Sequence, residues 1–158
     1  MPDGIAKAVS IDGVEARGRL ELTFARDPSG RTYLRGQYAS YPYHVCRPLS
    51  FGGDPQGMAT IYLQSSAGGI FRDDRLREHI VAEEGAAAHV TTQASTIVHS
   101  MDRGDARQEV LIEAAAGSFI EVLPDPFILF PQSRFASDVR VRAHETATVV
   151  IEIGRAHV

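Results

Sequence analysis

The feature that most constrains this chain is the succession of short apolar-rich segments between Ala67 and Phe130. These segments are five to nine residues long and are cut by Gly and Ala turns. Segments of this length, in which polar and apolar residues alternate, are typical of β-strands with one buried face. No long stretch carries the apolar period of a helix. The pattern predicts an all-β fold, mostly antiparallel, with a stacked or superhelical β-sheet architecture.

Two alternating segments near the start of the chain predict a β-hairpin. They are Arg19–Ala25 and Arg31–Tyr38, and the turn composition of Asp27–Gly30 separates them. Its proline presets φ, and its glycine tolerates a positive φ. Several Pro and Gly residues follow in Ala39–Gly57, which predicts an irregular crossover rather than a long element.

Two later segments, Ile80–Thr92 and Leu111–Leu123, resemble each other. Each has an apolar pair, an acid, an Ala/Gly turn and an apolar strand. Their glycines, Gly85 and Gly117, lie at different offsets from the segment starts, so the sequence predicts at most a weak internal repeat.

Composition bounds the class of protein. A chain of 158 residues suits one domain with a real core. The net charge of -4, without a Lys/Arg run, argues against nucleic-acid binding. No stretch approaches the ~20 apolar residues of a membrane helix. With one cysteine, Cys46, and no secretory signal at the N-terminus, the cytoplasm is the expected location.

Candidate metal ligands are few. His44 and Cys46 alternate, so in a strand both face one side, where a nickel or copper site could begin. The structural alternative is a surface histidine beside a small buried cysteine. Asp73 and Asp74 follow a Gly-Gly pair and could hold a hard cation or act as an acid/base pair, but adjacent acids in loops usually cap turns or face solvent.

Two further polar features lie on predicted strands. Thr91-Thr92-Gln93 with Ser95-Thr96 is a run of hydroxyl and amide side chains, which predicts either a solvated face or the lining of a wet interior path. Glu121 alternates onto the face opposite Ile120 and Val122, where it is either exposed or part of a polar lining.

Several short motifs occur in a fixed order. The order is Gly68-Gly69-Ile70, Asp74-Arg75-Leu76, Val90–Thr96, Glu121-Val122-Leu123-Pro124 and Ile128-Leu129-Phe130. Together they resemble the UreD family of urease accessory proteins, called UreH in some bacteria, over residues 18–153. The residues that carry the resemblance most are Gly68, Gly69, Arg75, Thr91, Thr92, Gln93, Pro124 and Phe130. The family usually has glycine where Asp73 stands, often Lys where Ile97 stands, and an aromatic residue where His99 stands.

The resemblance also implies a domain organisation. Residues 1–17 have a mixed composition without a sustained period and are for that reason expected to form a loosely ordered arm. By the resemblance, residues 18–152 are the N-terminal part of a UreD-like β domain. The family's chains continue with a second half of similar size, which implies that Val158 is a truncation. Residues 153–158 back-translate to a common adapter sequence and are expected to be a non-native tail.

The function implied by the resemblance is non-enzymatic. UreD-like proteins bind the urease apoprotein, recruit UreF-like and UreG-like partners, and help to deliver nickel to the urease active site. The resemblance implies that nickel passes in transit, without tight binding, by Asp74, Thr96 and Glu121. Two alternatives stay open: a small β-rich hydrolase that uses Asp74 with His79 or His99, and a metal-free protein-interaction module. The positions of Asp74, Thr96 and Glu121 discriminate among these functions.

Overall fold

The computed structural model describes residues 15–51 and 57–157, and the described chain is built from thirteen β-strands. The strands are β1 (Gly18–Arg26), β2 (Thr32–Ala39), β3 (Tyr43–Val45), β4 (Ala59–Ser65), β5 (Arg75–Ala82), β6 (Ala87–Thr92), β7 (Thr96–Val98), β8 (Ala106–Ala114), β9 (Phe119–Val122), β10 (Phe127–Leu129), β11 (Phe135–Ala143), β12 (Thr148–Ile151) and β13 (Arg155–His157). The all-β prediction is confirmed. Most of the predicted N-terminal arm, 1–17, lies outside the described residues.

The strands form three sheets that stack as the faces of a solenoid. The first sheet has the order β11-β8-β5-β1-β2, the second β12-β9-β6-β4-β3, and the third β13-β10-β7. Each turn of the chain therefore adds one strand to each sheet. We call such a turn a rung: β5, β6 and β7 form one rung, β8, β9 and β10 the next, and β11, β12 and β13 the last. Strands β1 and β4 belong to the rung before β5, with Ile70 bridging to Val98 on the third face.

The prediction of mostly antiparallel pairing is wrong. Only the pairs β1–β2 and β3–β4 are antiparallel, and all the other paired strands in the described chain are parallel. The predicted hairpin is one of the two exceptions. The error has a physical source, because a half-buried strand shows the same alternation whichever direction its neighbour runs.

The internal repeat is also stronger than the sequence segments indicated. Ile80 pairs with Ile112, and Val90 pairs with Val122, so the rung β5–β7 and the rung β8–β10 are offset by the same 32 residues on two faces. Gly85 and Gly117 share that offset and have φ of 66° and 64°. They therefore occupy equivalent turns, and the prediction that their offsets differ is wrong. The offsets differ only when Ile80 is matched with Leu111, whereas the strand register pairs Ile80 with Ile112.

The core lies inside the solenoid. On β5 the burial alternates strictly, with Leu76, Glu78, Ile80 and Ala82 inside. On β8, Val110, Ile112 and Ala114 repeat this pattern one rung on. Because the strands are stacked in register, like residues form columns along the interior, and burying these columns is the main favourable term for folding.

The end of the described chain continues the same stacking. Strand β13 lies parallel to β10, with Ile128 opposite Ala156. Residues 155–157, inside the segment 153–158, thus add a strand to the third sheet. Among the described residues, we find no helix with the length and apolar character needed to cross a membrane.

Candidate functional site

A buried polar cluster interrupts the apolar interior of the first face. Glu78 lies between Leu76 and Ile80 on the inner side of β5 and is only 9% exposed. Its Oε1 accepts a hydrogen bond of 2.9 Å from the Tyr43 hydroxyl and one of 2.7 Å from Gln108 Nε2. Strands β3 and β8 supply these two donors. Three different strands therefore converge on one carboxyl group.

The cluster extends one rung further. Gln108 faces Ser137 in the register of β8 and β11, and the Ser137 hydroxyl donates a 3.2 Å hydrogen bond to Gln108 Oε1. The result is a chain of polar groups that runs along the solenoid axis from Tyr43 through Glu78 and Gln108 to Ser137. A satisfied chain of this kind fixes the rotamers of its members.

The cluster borders an interior cavity of about 370 Å³. Its walls are mainly apolar and include Val90, Val110, Val122, Val139 and Ile151. The titratable side chains that line it, among the described residues, are Tyr43, Glu78, Asp125 and Glu152; none of the lining residues is Lys, Arg or His. An apolar cavity with a few convergent polar groups is the usual form of a binding site.

Burial controls the ionisation of this cluster. Removal from water raises the pKa of Glu78, although the hydrogen bonds from Tyr43 and Gln108 act in the opposite direction. Burial and the adjacent Glu78 carboxyl raise the pKa of the Tyr43 phenol well above its usual value. For Glu78, desolvation therefore outweighs hydrogen bonding.

This shift predicts a pH-dependent contribution to stability. Because the folded-state pKa of Glu78 exceeds its ordinary value of 4.5, protonation favours the fold, and this stabilisation is lost as the pH rises from 4.5 through the folded-state pKa. Glu78→Gln keeps an acceptor for both donors and removes the titration. We expect the free energy of unfolding of the variant, relative to the parent chain, to increase over that pH window in urea titrations.

The Glu113→Gln variant provides a control of opposite sign. The hydrogen bond from His79 is the largest cause that lowers the pKa of Glu113, so its contribution is present above 4.5 and is lost as the pH falls through the folded-state value. Parallel curves for Glu78→Gln and the parent chain would contradict the prediction for Glu78.

The hydroxyl-rich run forms part of the cavity wall. Residues 91–96 all line the cavity, with Gln93, Ala94 and Ser95 exposed at its mouth. The Thr91 hydroxyl donates to the Leu123 carbonyl at 2.7 Å, and the Thr92 hydroxyl accepts from the Asp125 amide at 2.8 Å. The run thus combines the two predicted roles, since it is solvated at the mouth and lines an interior space.

The three residues predicted for metal transit are not brought together. Thr96, half-buried on β7, lines the cavity. Asp74 lies outside the lining and caps a turn, where its Oδ2 accepts a 2.8 Å hydrogen bond from the Phe71 amide. Glu121 lies on the outer side of β9 and makes a 2.9 Å contact with His89 Nδ1. The interior carboxylate that the sequence reasoning missed is Glu78.

Some of the family-motif residues line the cavity, and another, Arg75, links two rungs. Gly68, Gly69, Gln93 and Pro124 line the cavity. Arg75 is 15% exposed and ties rungs together, because its guanidinium donates to the Asp105 carbonyl at 2.9 Å and to the Asp105 carboxylate at 2.8 Å.

An aromatic stack lies beside the Gly-Gly pair on the third face. The ring of His99 stacks on Phe71 with centroids 4.3 Å apart, and Phe130 meets it edge-on at 5.6 Å. His99 Nε2 lies 3.0 Å from the Gly68 carbonyl oxygen. His99 therefore occupies the aromatic position that the resemblance implied.

The Asp-His pair required by the hydrolase alternative is not formed in the described structure. His79 is bonded to Glu113 and His99 to the Gly68 carbonyl, while Asp74 is bonded to the Phe71 amide. Asp73, which stands where the family usually has glycine, adopts a φ of 66°, so the left-handed conformation is kept with a residue that tolerates it less well.

The predicted His44/Cys46 site has no cluster around it. Among the described residues, no group of three or more His, Cys, Asp or Glu side chains is close enough to hold a metal ion. His44 is exposed on β3, and Cys46 is half-buried.

The fold and the cavity define a class: a β-solenoid protein whose interior is open and carries oxygen-bearing side chains. Comparison with known families identifies the chain more closely. Residues 16–153 match the family described as UreD urease accessory protein. The chain belongs to this family.

Individual relatives agree with that assignment. The chain is 43% identical over 137 residues to Urease accessory protein UreD 1 of Pseudomonas syringae pv. syringae, which covers 87% of this chain and 48% of the relative. It is 40% identical over 139 residues to Urease accessory protein UreD 1 of Methylorubrum extorquens, covering 87% and 47%. It is 34% identical over 134 residues to Urease accessory protein UreD of Haloarcula marismortui, covering 85% and 44%. The chain thus spans about half the length of these curated relatives.

Proposed function

We propose that this protein acts in the cytoplasm as a non-enzymatic scaffold in urease maturation. In this role it binds the urease apoprotein together with UreF-like and UreG-like partners and gives nickel a path toward the urease active site. The observation that carries the proposal is membership of the UreD family over residues 16–153, because the matched relatives are named urease accessory proteins.

The interior of the solenoid supports the nickel part of the proposal. The polar atoms around the cavity are mainly oxygens of hydroxyl, amide and carboxyl groups. Such isolated oxygen ligands bind a first-row divalent cation weakly, whereas a thiolate–imidazole cage would retain it. A path that must release its cargo is better served by the weaker set. Nickel is the cargo here and not a resident cofactor.

A pull-down with the full-length protein tests the scaffold role. We expect both the urease apoprotein and the UreF-like partner to be retained, because the matched relatives are urease accessory proteins. The immobilised protein is mixed with each candidate, and bound material is quantified after washing at physiological salt. Retention of neither partner would contradict the proposal.

Two substitutions then test the predicted transit residues in the same assembly. Asp74→Asn keeps an oxygen that can accept from the Phe71 amide and removes the charge, so folding is preserved. Thr96→Val removes the hydroxyl of a residue that lines the cavity, at nearly equal volume. If these residues guide nickel, both variants retain the partners but activate urease more slowly; Asp74→Ala would confound this test because it also removes the turn cap.

A further inference from the structure

The carboxyl group of Glu78 is incompletely used by the protein. Both of its hydrogen bonds go to Oε1, and within the described chain no donor contacts Oε2. Every fully enclosed side-chain polar atom in the described residues has a partner, so Oε2 must be reached from the adjoining space. Since Glu78 is 9% exposed and lines the cavity, that space is the cavity itself.

Among the described residues, every charged side chain that lines the cavity is acidic. Asp125 and Glu152 are exposed at the cavity rim, and Glu78 lies on its wall deep inside. No basic side chain lines this cavity among the described residues. A carboxylate in an apolar space without a counter-ion is costly, and an entering cation offsets that cost. The low dielectric of the apolar walls and the three acidic side chains together favour cations over anions or neutral solutes.

We propose that Glu78 is an interior station for a divalent first-row cation, with Oε2 as its ligand and water completing the coordination. This inference rests on the proposed role in nickel delivery and assigns the interior carboxylate to Glu78 instead of Asp74 or Glu121. Tyr43 and Gln108 act as positioning residues, because their hydrogen bonds hold Oε1 and leave Oε2 directed into the cavity. The cavity of about 370 Å³ has room for a cation that keeps several waters.

A site with a single protein carboxylate is suited to a cation that must be released again. Tight sites for nickel or zinc gather several nitrogen or sulfur ligands, whereas one oxygen ligand gives a weak, rapidly exchanging site. Burial raises the pKa of Glu78 because removal from water penalises the charged form, and a bound cation relieves that penalty. The rim carboxylates of Asp125 and Glu152 would concentrate cations at the mouth before entry.

Paramagnetic broadening tests this assignment on the full-length protein. The protein is labelled at Ile, Leu and Val methyl groups and titrated with Ni²⁺, and with Mn²⁺ as a stronger relaxation probe. We expect the methyl signals of Val110, Val139 and Ile112, which line the cavity with Glu78, to broaden first. In Glu78→Gln the affinity measured from these signals is expected to fall about tenfold or more.

The matched control is Glu121→Gln. It makes the same chemical change on the outer side of β9, where Glu121 pairs with His89. We expect this variant to keep the interior broadening. Equal broadening in Glu78→Gln and the parent protein, or broadening confined to methyl groups near the rim, would overturn the assignment.

The failure of this inference is distinguishable from that of the proposed function. If partner retention fails in the pull-down, the scaffold role is wrong, whatever the methyl signals show. If Glu78→Gln retains the partners, activates urease at the parent rate and binds cations normally, the scaffold role stands and the Glu78 station is wrong. The expected result is retained partners, slower urease activation and weaker interior cation binding.

Discussion

Gly69→Ala is expected to lower the free energy of unfolding by about 3 kcal/mol or more, whereas Gly68→Ala should change it by no more than about 0.5 kcal/mol. Gly69 has a φ of 137°, which residues with a side chain rarely adopt. A methyl group there would also overlap the carbonyl oxygen of Ile97. Backbone cannot move aside as a flexible side chain can, so the cost is large.

The overlap between the added methyl group and the Ile97 carbonyl lies where two consecutive rungs meet on the third face. The Ile97 carbonyl accepts a 2.7 Å hydrogen bond from the Ile70 amide, and the His99 amide donates a 3.0 Å bond back to the Ile70 carbonyl. Displacing Ile97 would therefore disturb the first bridge of the third face. Gly68, one residue earlier, is exposed and has open space where a methyl group would go. Urea titrations followed by circular dichroism measure both variants, and similar midpoints would contradict the argument.

Ile112→Ala should lower the free energy of unfolding by about 2–5 kcal/mol, and Leu111→Ala by about 1 kcal/mol. The two residues are neighbours on β8 and lose the same number of carbon atoms. Ile112 is fully buried in register with Ile80, whereas Leu111 points outward and is half-buried. The difference therefore isolates the inner from the outer face of one strand.

The stability loss of Ile112→Ala also tests how well the rungs around the cavity can close a larger space. Ile112 borders the cavity, so its truncation enlarges an existing space that the surrounding rungs cannot close. Thermal unfolding of the two variants beside the parent chain gives the comparison. A larger loss for Leu111→Ala than for Ile112→Ala would show that the inner and outer faces have been exchanged.

The strands and their buried faces were predictable from the sequence. Alternation marked β1 and β2 with nearly their observed bounds, and the Asp27–Gly30 turn followed from its composition. Local patterns suffice here because the side-chain period of a strand is a property of the strand alone. The same alternation could have identified Glu78, which stands in the inward column between Leu76 and Ile80. A carboxylate in an apolar column is the signal that was overlooked.

The predicted transit residues show the limit of that reasoning. Asp74, Thr96 and Glu121 were assigned by resemblance, and the fold places Thr96 alone of the three in the cavity lining. A strand residue's inward or outward direction follows from its parity, as for Glu121, but a loop residue such as Asp74 has no such rule. Its position depends on the turn that it caps.

By itself the sequence determined that the chain forms β-strands, that the alternating strands bury one face, and, through its motifs, the UreD family. The tertiary structure decided that most of the strands run parallel, that β8 and β9 follow β5 and β6 at the same offset of 32 residues, and that Tyr43 reaches Glu78 from 35 residues away. The physical reason is that alternation is local, whereas strand direction and register depend on how the corners close each rung. Only that closure creates the cavity and brings its polar groups together.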